Sequence, residues 1–185
     1  CDRRQRQMCI RDRGGYAASA ITAVTVQNTL GVRAVHAIPP EIVCGQIEAV
    51  MEDLQPVAVK IGMVNDIQIV HVIADCIRKY SPEHIIYDPV MVSTSGRRKL
   101  MTDEAIEEIK KKLLPLVTLV TPNIDEAKVL TGKSIQNTQD MLEAAKQLSD
   151  SYQTHILIKG GHLEGDQMCD LLYSPDHTYY CLLYT

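Results

Sequence analysis

The stretch that decides the fold is "LVTLVTPNIDEAKVLTG", residues 116–132. Its first five residues, 116–120, are apolar or β-branched and predict a short buried strand. Thr121-Pro122 marks a turn, and residues 126–130 then show helical spacing. A strand that turns directly into a helix is the unit from which parallel α/β sheets are built.

Asn123 and Glu126, three positions apart in this stretch, allow two interpretations. Asparagine is a favourable helix N-cap, and a glutamate three residues later completes a variant of the capping box. The same spacing places a carboxylate at a helix N-terminus, where phosphate and metal ions are also attracted. The local pattern favours the cap, and the two roles are compatible.

The rest of the chain alternates short β-branched runs with longer amphipathic segments. This alternation indicates one α/β domain, with a mostly parallel central sheet and helices on both faces. A polar loop is predicted at 93–98. Strands are predicted at 20–25, 57–61, 85–87, 116–120, 156–159 and 168–173, and helices at 40–54, 67–80, 103–113, 126–130 and 138–149.

Composition narrows the class of protein. The chain has 185 residues, of which 45% are hydrophobic, and a formal net charge of -4. Two basic triplets, at 97–99 and 110–112, are typical of solvated surfaces, so nucleic acid is not an expected partner. We find neither a run of the ~20 apolar residues needed to span a bilayer nor a signal-peptide pattern. We therefore expect a cytoplasmic protein with no membrane partner.

The cysteine pattern and the aromatic content carry two further expectations. Six cysteines show neither the paired spacing of a zinc site nor the density of a disulfide scaffold, so we predict reduced thiols. Because the chain has no Phe and no Trp, we expect Leu, Ile, Val, Met and Tyr to fill the core.

Both ends of the chain differ from this pattern. Residues 1–13 are rich in Arg, Asp and Gln without any period, and "MCIRDR" (8–13) and "CLLYT" (181–185) resemble translated adapter sequence. We expect 1–13 and 181–185 to be non-native tails, with disordered native tails as the alternative, and 14–180 to form the domain.

Polar residues follow the predicted strands, at the edge of an open parallel sheet where ligands bind. Asp88 is either an ordinary turn aspartate or a carboxylate for a metal-bound phosphate. Lys159 precedes two glycines whose backbone amides could approach an anion. The common nucleotide signatures G-x-x-x-x-G-K-S/T and G-x-G-x-x-G are absent, as is the hydrolase motif G-x-S-x-G.

Five motifs in order resemble the hydroxymethylpyrimidine/phosphomethylpyrimidine kinases of thiamine biosynthesis, a family with a ribokinase-like fold. The resemblance runs from about Gly14 to Tyr180, and an ordered set is more specific than any single motif. The motifs are "SAITAVTVQNTLGV" (19–32), "VKIGMV" (59–64), "YDPVMVSTSG" (87–96), "LLPLVTLVTPNIDEAKVLTG" (113–132) and "ILIKGGHLEGD" (156–166).

The resemblance implies transfer of the ATP γ-phosphoryl group, with Mg²⁺, to the hydroxymethyl oxygen of the pyrimidine and then to its monophosphate. Gln27 matches the glutamine that binds the aminopyrimidine, and Met63 and Val90 match apolar residues lining its ring. A homodimer is left open. The positions that match metal and phosphate ligands are Asp88 and Glu126 for the metal, and Asp88, Asn123, Lys159, Gly160 and Gly161 for ATP and its phosphates.

The sequence also departs from the family. Nothing before Gly15 matches the family's Gly-rich substrate loop of the G-S-D-x-S-G-G-A-G type, and its G-T-G-C anion hole lies beyond the last residue here. No catalytic residue is therefore assigned, and the fold is expected to be incomplete. Loss of one such donor costs ~10²–10³ in rate in other enzymes, so we expect this chain to be nearly inactive.

Three alternatives stay open. A pyridoxal kinase-like activity is the nearest, because both substrates are aromatic rings with a hydroxymethyl group, although Gln27 favours the aminopyrimidine. A non-catalytic module that senses the pyrimidine belongs to another functional class. The chain could also fail to fold stably, since unpaired sheet edges invite aggregation.

Overall fold

A computed structural model describes most of the chain. The predicted loop at 93–98 and His162 lie outside the described residues. No helix in the described part of the chain is both long enough and apolar enough to cross a membrane. The described residues are 10, 12–28, 31–64, 66–91, 101–161 and 168–184.

A six-stranded sheet forms the centre of the protein, in the order β3-β4-β5-β6-β7-β8. The first four strands are parallel, and β7 and β8 are antiparallel to their neighbours. The prediction of an α/β fold with a mostly parallel sheet is confirmed. The strands are β3 (Ala58–Ile61), β4 (His84–Tyr87), β5 (Leu119–Val120), β6 (His155–Ile158), β7 (Met168–Tyr173) and β8 (Tyr179–Tyr184).

Five α-helices of the described residues pack in two groups: α2 contacts α1 and α3, and α4 contacts α5, which lies against β6 and β7. Side chains at the helix starts explain where several begin: Asp66, for example, accepts hydrogen bonds from the first turn of α2. The helices are α1 (Pro40–Asp53), α2 (Ile67–Tyr80), α3 (Asp103–Glu108), α4 (Ile124–Thr131) and α5 (Thr138–Tyr152).

The first predicted strand, 20–25, does not join the central sheet. Instead β1 (Ala23–Asn28) and β2 (Gly31–Ala37) form a separate antiparallel pair, and β2 is a strand that the sequence analysis missed. Val24 and Val26 are more than half exposed, so no apolar core holds this hairpin along that face. Its β-branched residues indicated a strand but not the partner with which it pairs.

The predicted helix 103–113 and strand 116–120 are both shorter than expected. α3 ends at Glu108 and continues as a π-helical turn, Ile109–Leu113, and then as a 3-10 turn, Leu114–Leu116. Pro115 lies in that 3-10 turn, where a residue without an N–H is tolerated. In a strand, proline would remove a hydrogen bond to the neighbouring strand. The strand β5 is consequently reduced to two residues.

The core is aliphatic, as the composition predicted. Burying each such side chain contributes about 1.5–3 kcal/mol, so the core is adequate without Phe or Trp. Its largest fully buried aromatic side chain is Tyr87. Other fully buried side chains include Ile69, Met91, Ile109, Leu113, Met141, Ile156 and Ile158.

The prediction of reduced cysteines holds for Cys44 and Cys76, which are free thiols. It is wrong for Cys169 and Cys181, which form a disulfide between β7 and β8. The antiparallel pairing of these strands brings together two cysteines 12 positions apart, a proximity that their spacing alone does not reveal. Cys1 and Cys9 lie outside the described residues.

Residues 181–184 of the C-terminal segment that we excluded from the domain lie in β8, which pairs with β7 along its whole length. Several of its side chains, including Leu182 and Leu183, are about half exposed or more. At the other end, most of 1–13 lies outside the described residues. The expected non-native origin of both segments stays a prediction.

Candidate functional site

The residues that follow β4, β5 and β6 meet at one edge of the sheet, because parallel strands end on the same side. Backbone hydrogen bonds extend the pairing beyond the strands: the Asp88 N–H donates to the Ile61 carbonyl over 2.8 Å, and the Lys159 N–H donates to the Pro122 carbonyl over 2.8 Å. A single parallel bridge joins Asn123 to Lys159. The polar groups that the sequence placed at this edge are therefore close neighbours.

Asp88 is the centre of a charged cluster drawn from four strands. Its Oδ1 accepts hydrogen bonds from Lys159 Nζ at 2.8 Å and from Thr121 Oγ1 at 2.9 Å. Its Oδ2 forms an ion pair with Lys60 Nζ at 2.8 Å. Partial burial alone would raise the pKa of Asp88, but the hydrogen bonds from Lys159 and Lys60 outweigh it and hold the pKa below its ordinary value. Asp88 is therefore a carboxylate held between two ammonium groups.

Lys60 and Thr121 were not assigned as site residues by the sequence analysis. Lys60 lies in β3, where a lysine near the strand's carboxyl end is the only local signal. Thr121 was interpreted only as part of a turn, and its partner could not be named from the sequence. Both contacts depend on strand order, which the sequence does not state.

Glu126 and Asn123 form the capping box that the sequence predicted. The Glu126 N–H donates to Asn123 Oδ1 over 2.9 Å, and the Asn123 N–H donates to Glu126 Oε2 over 2.8 Å. Glu126 is only 4% exposed. Burial raises its pKa above the ordinary value, and the hydrogen bond from the Asn123 amide and the charge of Lys159 counter the rise only in part. The capping role is thus confirmed.

Tyr87 is a further buried polar group beside this site. Its side chain has no exposed surface, and its hydroxyl has no hydrogen-bond partner among the described residues. Burial, together with the charges of Glu126 and Asp88, raises the pKa of Tyr87. The side chain is therefore a neutral phenol at the back of the carboxylate site.

Gly160 fills a position where no side chain fits. A Cβ there would lie 1.8 Å from the Cys169 carbonyl oxygen, so the end of β6 packs directly on β7. The Gly160 N–H donates to Asp170 Oδ1 over 2.9 Å. By contrast, nothing lies within 4 Å of a Cβ placed on Gly161. Close packing thus explains the first glycine of the turn, and a phosphate-binding role for either one stays a prediction.

The predicted pyrimidine-binding residues lie on separate segments. Gln27 is exposed near the tip of the β1–β2 hairpin, beside an irregularity in the strand register. The base of the hairpin is anchored near Met63, because Thr22 Oγ1 donates to the Met63 carbonyl over 2.9 Å. Val90, half-buried, follows Asp88 by two residues. The structure ties Met63 to the hairpin's base, and the roles of all three side chains stay predictions.

Two carboxylates at this edge, Asp88 and Glu126, could supply oxygen donors to a metal ion. The charge of Asp88 helps to raise the pKa of Glu126, and both carboxylates help to raise the pKa of Tyr87. Among the described residues, no group of three or more His, Cys, Asp and Glu side chains is placed to hold a metal. This donor set fits a hard cation that takes its other ligands from phosphate and water.

Comparison with known proteins agrees with this architecture. The phosphomethylpyrimidine kinase family model matches residues 8–183. A hydroxymethylpyrimidine/phosphomethylpyrimidine kinase of Rhizobium meliloti (strain 1021) is 43% identical over 164 residues, 88% of this chain. The chain spans 61% of the length of that relative.

Solved structures give the same result. A crystal structure of phosphomethylpyrimidine kinase from Clostridium difficile 630 aligns with a TM-score of 0.85 at 40% identity, covering 97% of this chain and 76% of that one. A pyridoxal kinase from Staphylococcus aureus, in complex with pyridoxal, aligns with a TM-score of 0.83 at 29% identity, covering 94% of this chain and 63% of that one. The expected ribokinase-like fold is confirmed, and the chain belongs to the phosphomethylpyrimidine kinase family.

Proposed function

We propose that the protein phosphorylates 4-amino-5-hydroxymethyl-2-methylpyrimidine and its monophosphate, with ATP as the phosphoryl donor, in thiamine biosynthesis. One structural observation carries the proposal beyond family membership. Asp88, Lys60 and Lys159, from three parallel strands, converge on one point at the edge of the sheet. Phosphoryl transfer is catalysed mainly by positioning and by charge stabilisation, and such a cluster supplies both.

The two lysines are the proposed phosphate ligands. Both share the single carboxylate of Asp88, so the cluster carries one excess positive charge that a phosphate oxygen can neutralise. Lys159 contributes at the end of β6, beside the Gly160-Gly161 turn, and Asn123 lies next to it across the β5–β6 bridge. Lys159 would exchange its bond to Asp88 for one to a phosphate when ATP binds.

Asp88 and Glu126 are the proposed metal ligands. A bound Mg²⁺ would neutralise charge on the ATP phosphates and orient them for transfer. Asp88 keeps its negative charge because the lysines lower its pKa. Glu126 is held in place by the capping box, so its carboxylate keeps one orientation at the N-terminus of α4. The capping box thus orients Glu126 for a cation, and Asp88 can take one when Lys159 passes to a phosphate.

The pyrimidine is proposed to bind between the hairpin and the loops after β3 and β4. Gln27 provides an amide that can bond the amino group of the ring, and Met63 and Val90 provide apolar contacts. The hairpin is fixed at its base by Thr22, while Gln27 and Asn28, at the far end of β1, are exposed. Gln27 is therefore accessible to a small molecule. A homodimer remains a prediction.

Calorimetry and turnover together test the proposal. The chain is expected to bind the hydroxymethylpyrimidine and Mg²⁺-ATP, and any release of ADP should require both ligands. Failure to bind both ligands by a folded chain would overturn the proposal.

Glu126→Gln is the matched variant for the metal site. It should weaken Mg²⁺-dependent ATP binding more than it lowers stability, because glutamine can still complete a capping box. Lys128→Met, on the exposed side of α4, is the control that should leave both unchanged. A loss of stability alone would mean that Glu126 only caps its helix.

Pyridoxal kinase activity is the second candidate, favoured by the likeness to the Staphylococcus aureus enzyme. Parallel titrations with pyridoxal and the hydroxymethylpyrimidine separate the two, and a clear preference for pyridoxal would replace our assignment. A sensor role would require tight pyrimidine binding with no turnover by a full-length protein carrying this domain.

A further inference from the structure

Cys44 in α1 and Cys76 in α2 face each other across the contact between these helices. Their sulfur atoms are 3.9 Å apart, although the residues are 32 positions apart in sequence. Cys44 is partly exposed and Cys76 is 5% exposed. Neither thiol takes part in the proposed phosphoryl transfer, so their proximity calls for a separate account.

We infer that Cys44 and Cys76 form a dithiol oxidation site, at which a small disulfide oxidant such as glutathione disulfide joins α1 to α2 through an intramolecular disulfide. The sulfur atoms must approach from 3.9 Å to a bond length of about 2.05 Å, and the inference requires that rotation of the two side chains close this gap. The inference does not depend on the proposed kinase activity.

The reaction balances as two thiol–disulfide exchanges. The Cys44 thiolate attacks glutathione disulfide, forming a Cys44–glutathione mixed disulfide and releasing one glutathione thiolate. The Cys76 thiolate then attacks the Cys44 sulfur, forms the Cys44–Cys76 bond and releases the second glutathione. The two cysteines are oxidised, glutathione disulfide is reduced to two glutathione molecules, and these take up the two thiol protons.

Exposure and charge set the order of these steps. Cys44 is the thiol that solvent reaches, whereas burial, with the neighbouring Cys44 and Glu48, raises the pKa of Cys76 to about 12 against the opposing charge of Lys79. A buried thiol that holds its proton is a slow nucleophile. Cys44 therefore reacts first, and attack by Cys76 is the slow second step.

The Cys44–Cys76 bond would also stiffen the helices to which the β1–β2 hairpin is attached. Gln46, two positions after Cys44, holds the backbone of Ile21 by two hydrogen bonds, at 3.0 and 3.1 Å. Ile21 leads into β1. A covalent link between α1 and α2 would thus stiffen the helix pair from which the hairpin extends.

Peptide mapping tests the inference on the chain as it stands. After treatment with glutathione disulfide and alkylation of remaining thiols, tryptic peptides 34–60 and 61–78, which carry Cys44 and Cys76, should appear linked, and the link should vanish on reduction. Cys169 and Cys181 share peptide 160–185, so their disulfide cannot be mistaken for this one. Separate peptides, whether alkylated or still carrying glutathione on Cys44, would overturn the inference.

Two variants test the order of attack. Cys76→Ala should stop the reaction at one glutathione on Cys44, and Cys44→Ala should leave the buried Cys76 unmodified over the same time. Circular dichroism confirms that each variant is folded. Glutathione on Cys76 at the rate seen for Cys44 would contradict the mechanism. Should either variant unfold, the map of the unaltered chain still decides whether the linkage forms.

Discussion

The candidate site contains two parts that are built in different ways. Asn123 and Glu126 lie three residues apart and bond each other at the start of one helix. Asp88 instead bonds Thr121 and Lys159, which are 33 and 71 positions away. The local part depends only on helix geometry, and the cross-strand part depends on the order and register of the sheet.

The two parts also shift the pKa values of their carboxylates in opposite directions. Burial raises the pKa of Glu126, and lysines overcome burial to lower the pKa of Asp88. Neighbouring carboxylates whose pKa values are pushed apart are typical of sites that handle charge. The predictions below test whether the two parts are as independent as their construction suggests.

The largest expected effect comes from Gly160→Ala, which disturbs the cross-strand part. The added Cβ would meet the Cys169 carbonyl oxygen at 1.8 Å, so the ends of β6 and β7 must separate. We expect overpacking of this kind to lower the free energy of unfolding by about 3 kcal/mol, and urea denaturation measures this change. Displacement of Lys159 from Asp88 should accompany the loss.

Gly161→Ala is the matched control for that substitution. Nothing lies within 4 Å of the added Cβ at this position. We expect the free energy of unfolding to change by less than about 0.5 kcal/mol. If the two alanine variants were equally destabilised, close packing at Gly160 would not explain the turn.

Glu126→Ala should have the next largest effect, and it acts on the local part. It removes a 4% exposed side chain and leaves the Asn123 N–H without its acceptor, at a cost of about 2 kcal/mol in the free energy of unfolding. Glu126→Gln keeps an acceptor and should cost less than about 1 kcal/mol. Equal losses in thermal or urea unfolding would show that charge, rather than the cap, stabilises this helix start.

The contributions of the two carboxylates to stability should change in opposite directions as pH rises. Because the folded pKa of Asp88 is lowered, its stabilisation is present above the ordinary aspartate value of about 3.9 and is lost as pH falls through the folded pKa. Because the folded pKa of Glu126 is raised, its contribution is present below about 4.3 and is lost as pH rises through the folded pKa.

Urea unfolding across this pH range checks both signs. Asp88→Asn should flatten the loss of stability on the acid side, and Glu126→Gln should remove the decline as pH rises above about 4.3. An unchanged acid slope in Asp88→Asn would mean that other carboxylates control it.

These two parts also show which features of the site could be predicted from the sequence and which could not. The capping box was predictable, because both partners lie within one helical turn. Lys60 was missed because its partner is set by the pairing of β3 with β4. The β1–β2 hairpin was misassigned for the same reason: β propensity identifies a strand but not its partner.

Elsewhere, a predicted strand boundary was wrong where a single residue prevented the structure that the apolar pattern indicated. Residues 116–120 are apolar enough for a five-residue strand, yet the 3-10 turn through Pro115 delays β5 until Leu119. Gly160 is a different case, since the sequence suggested that its amide could approach an anion but did not reveal the close packing that requires a glycine there. Its glycine is explained by a neighbouring strand that the local pattern does not include.

The smallest expected effects come from the lysines, and they test whether Asp88 is shared equally. Lys159→Met and Lys60→Met should each cost no more than about 1 kcal/mol in unfolding free energy, because the side chains are 41% and 55% exposed. Carbon-13 NMR titration of the Asp88 carboxyl is the sharper measurement. The pKa should rise in both variants, and further in Lys159→Met, since the hydrogen bond from Lys159 is the stronger influence.

Lys128→Met is the control for this titration, because Lys128 pairs with Asp125 on the exposed face of α4 and should leave the Asp88 pKa unchanged. Equal rises in the two lysine variants would mean that β3 and β6 hold Asp88 symmetrically. A larger rise in Lys60→Met would reverse the assignment and make β3 the main source of positive charge. Only a larger rise in Lys159→Met supports Lys159 as the lysine that passes from Asp88 to a phosphate.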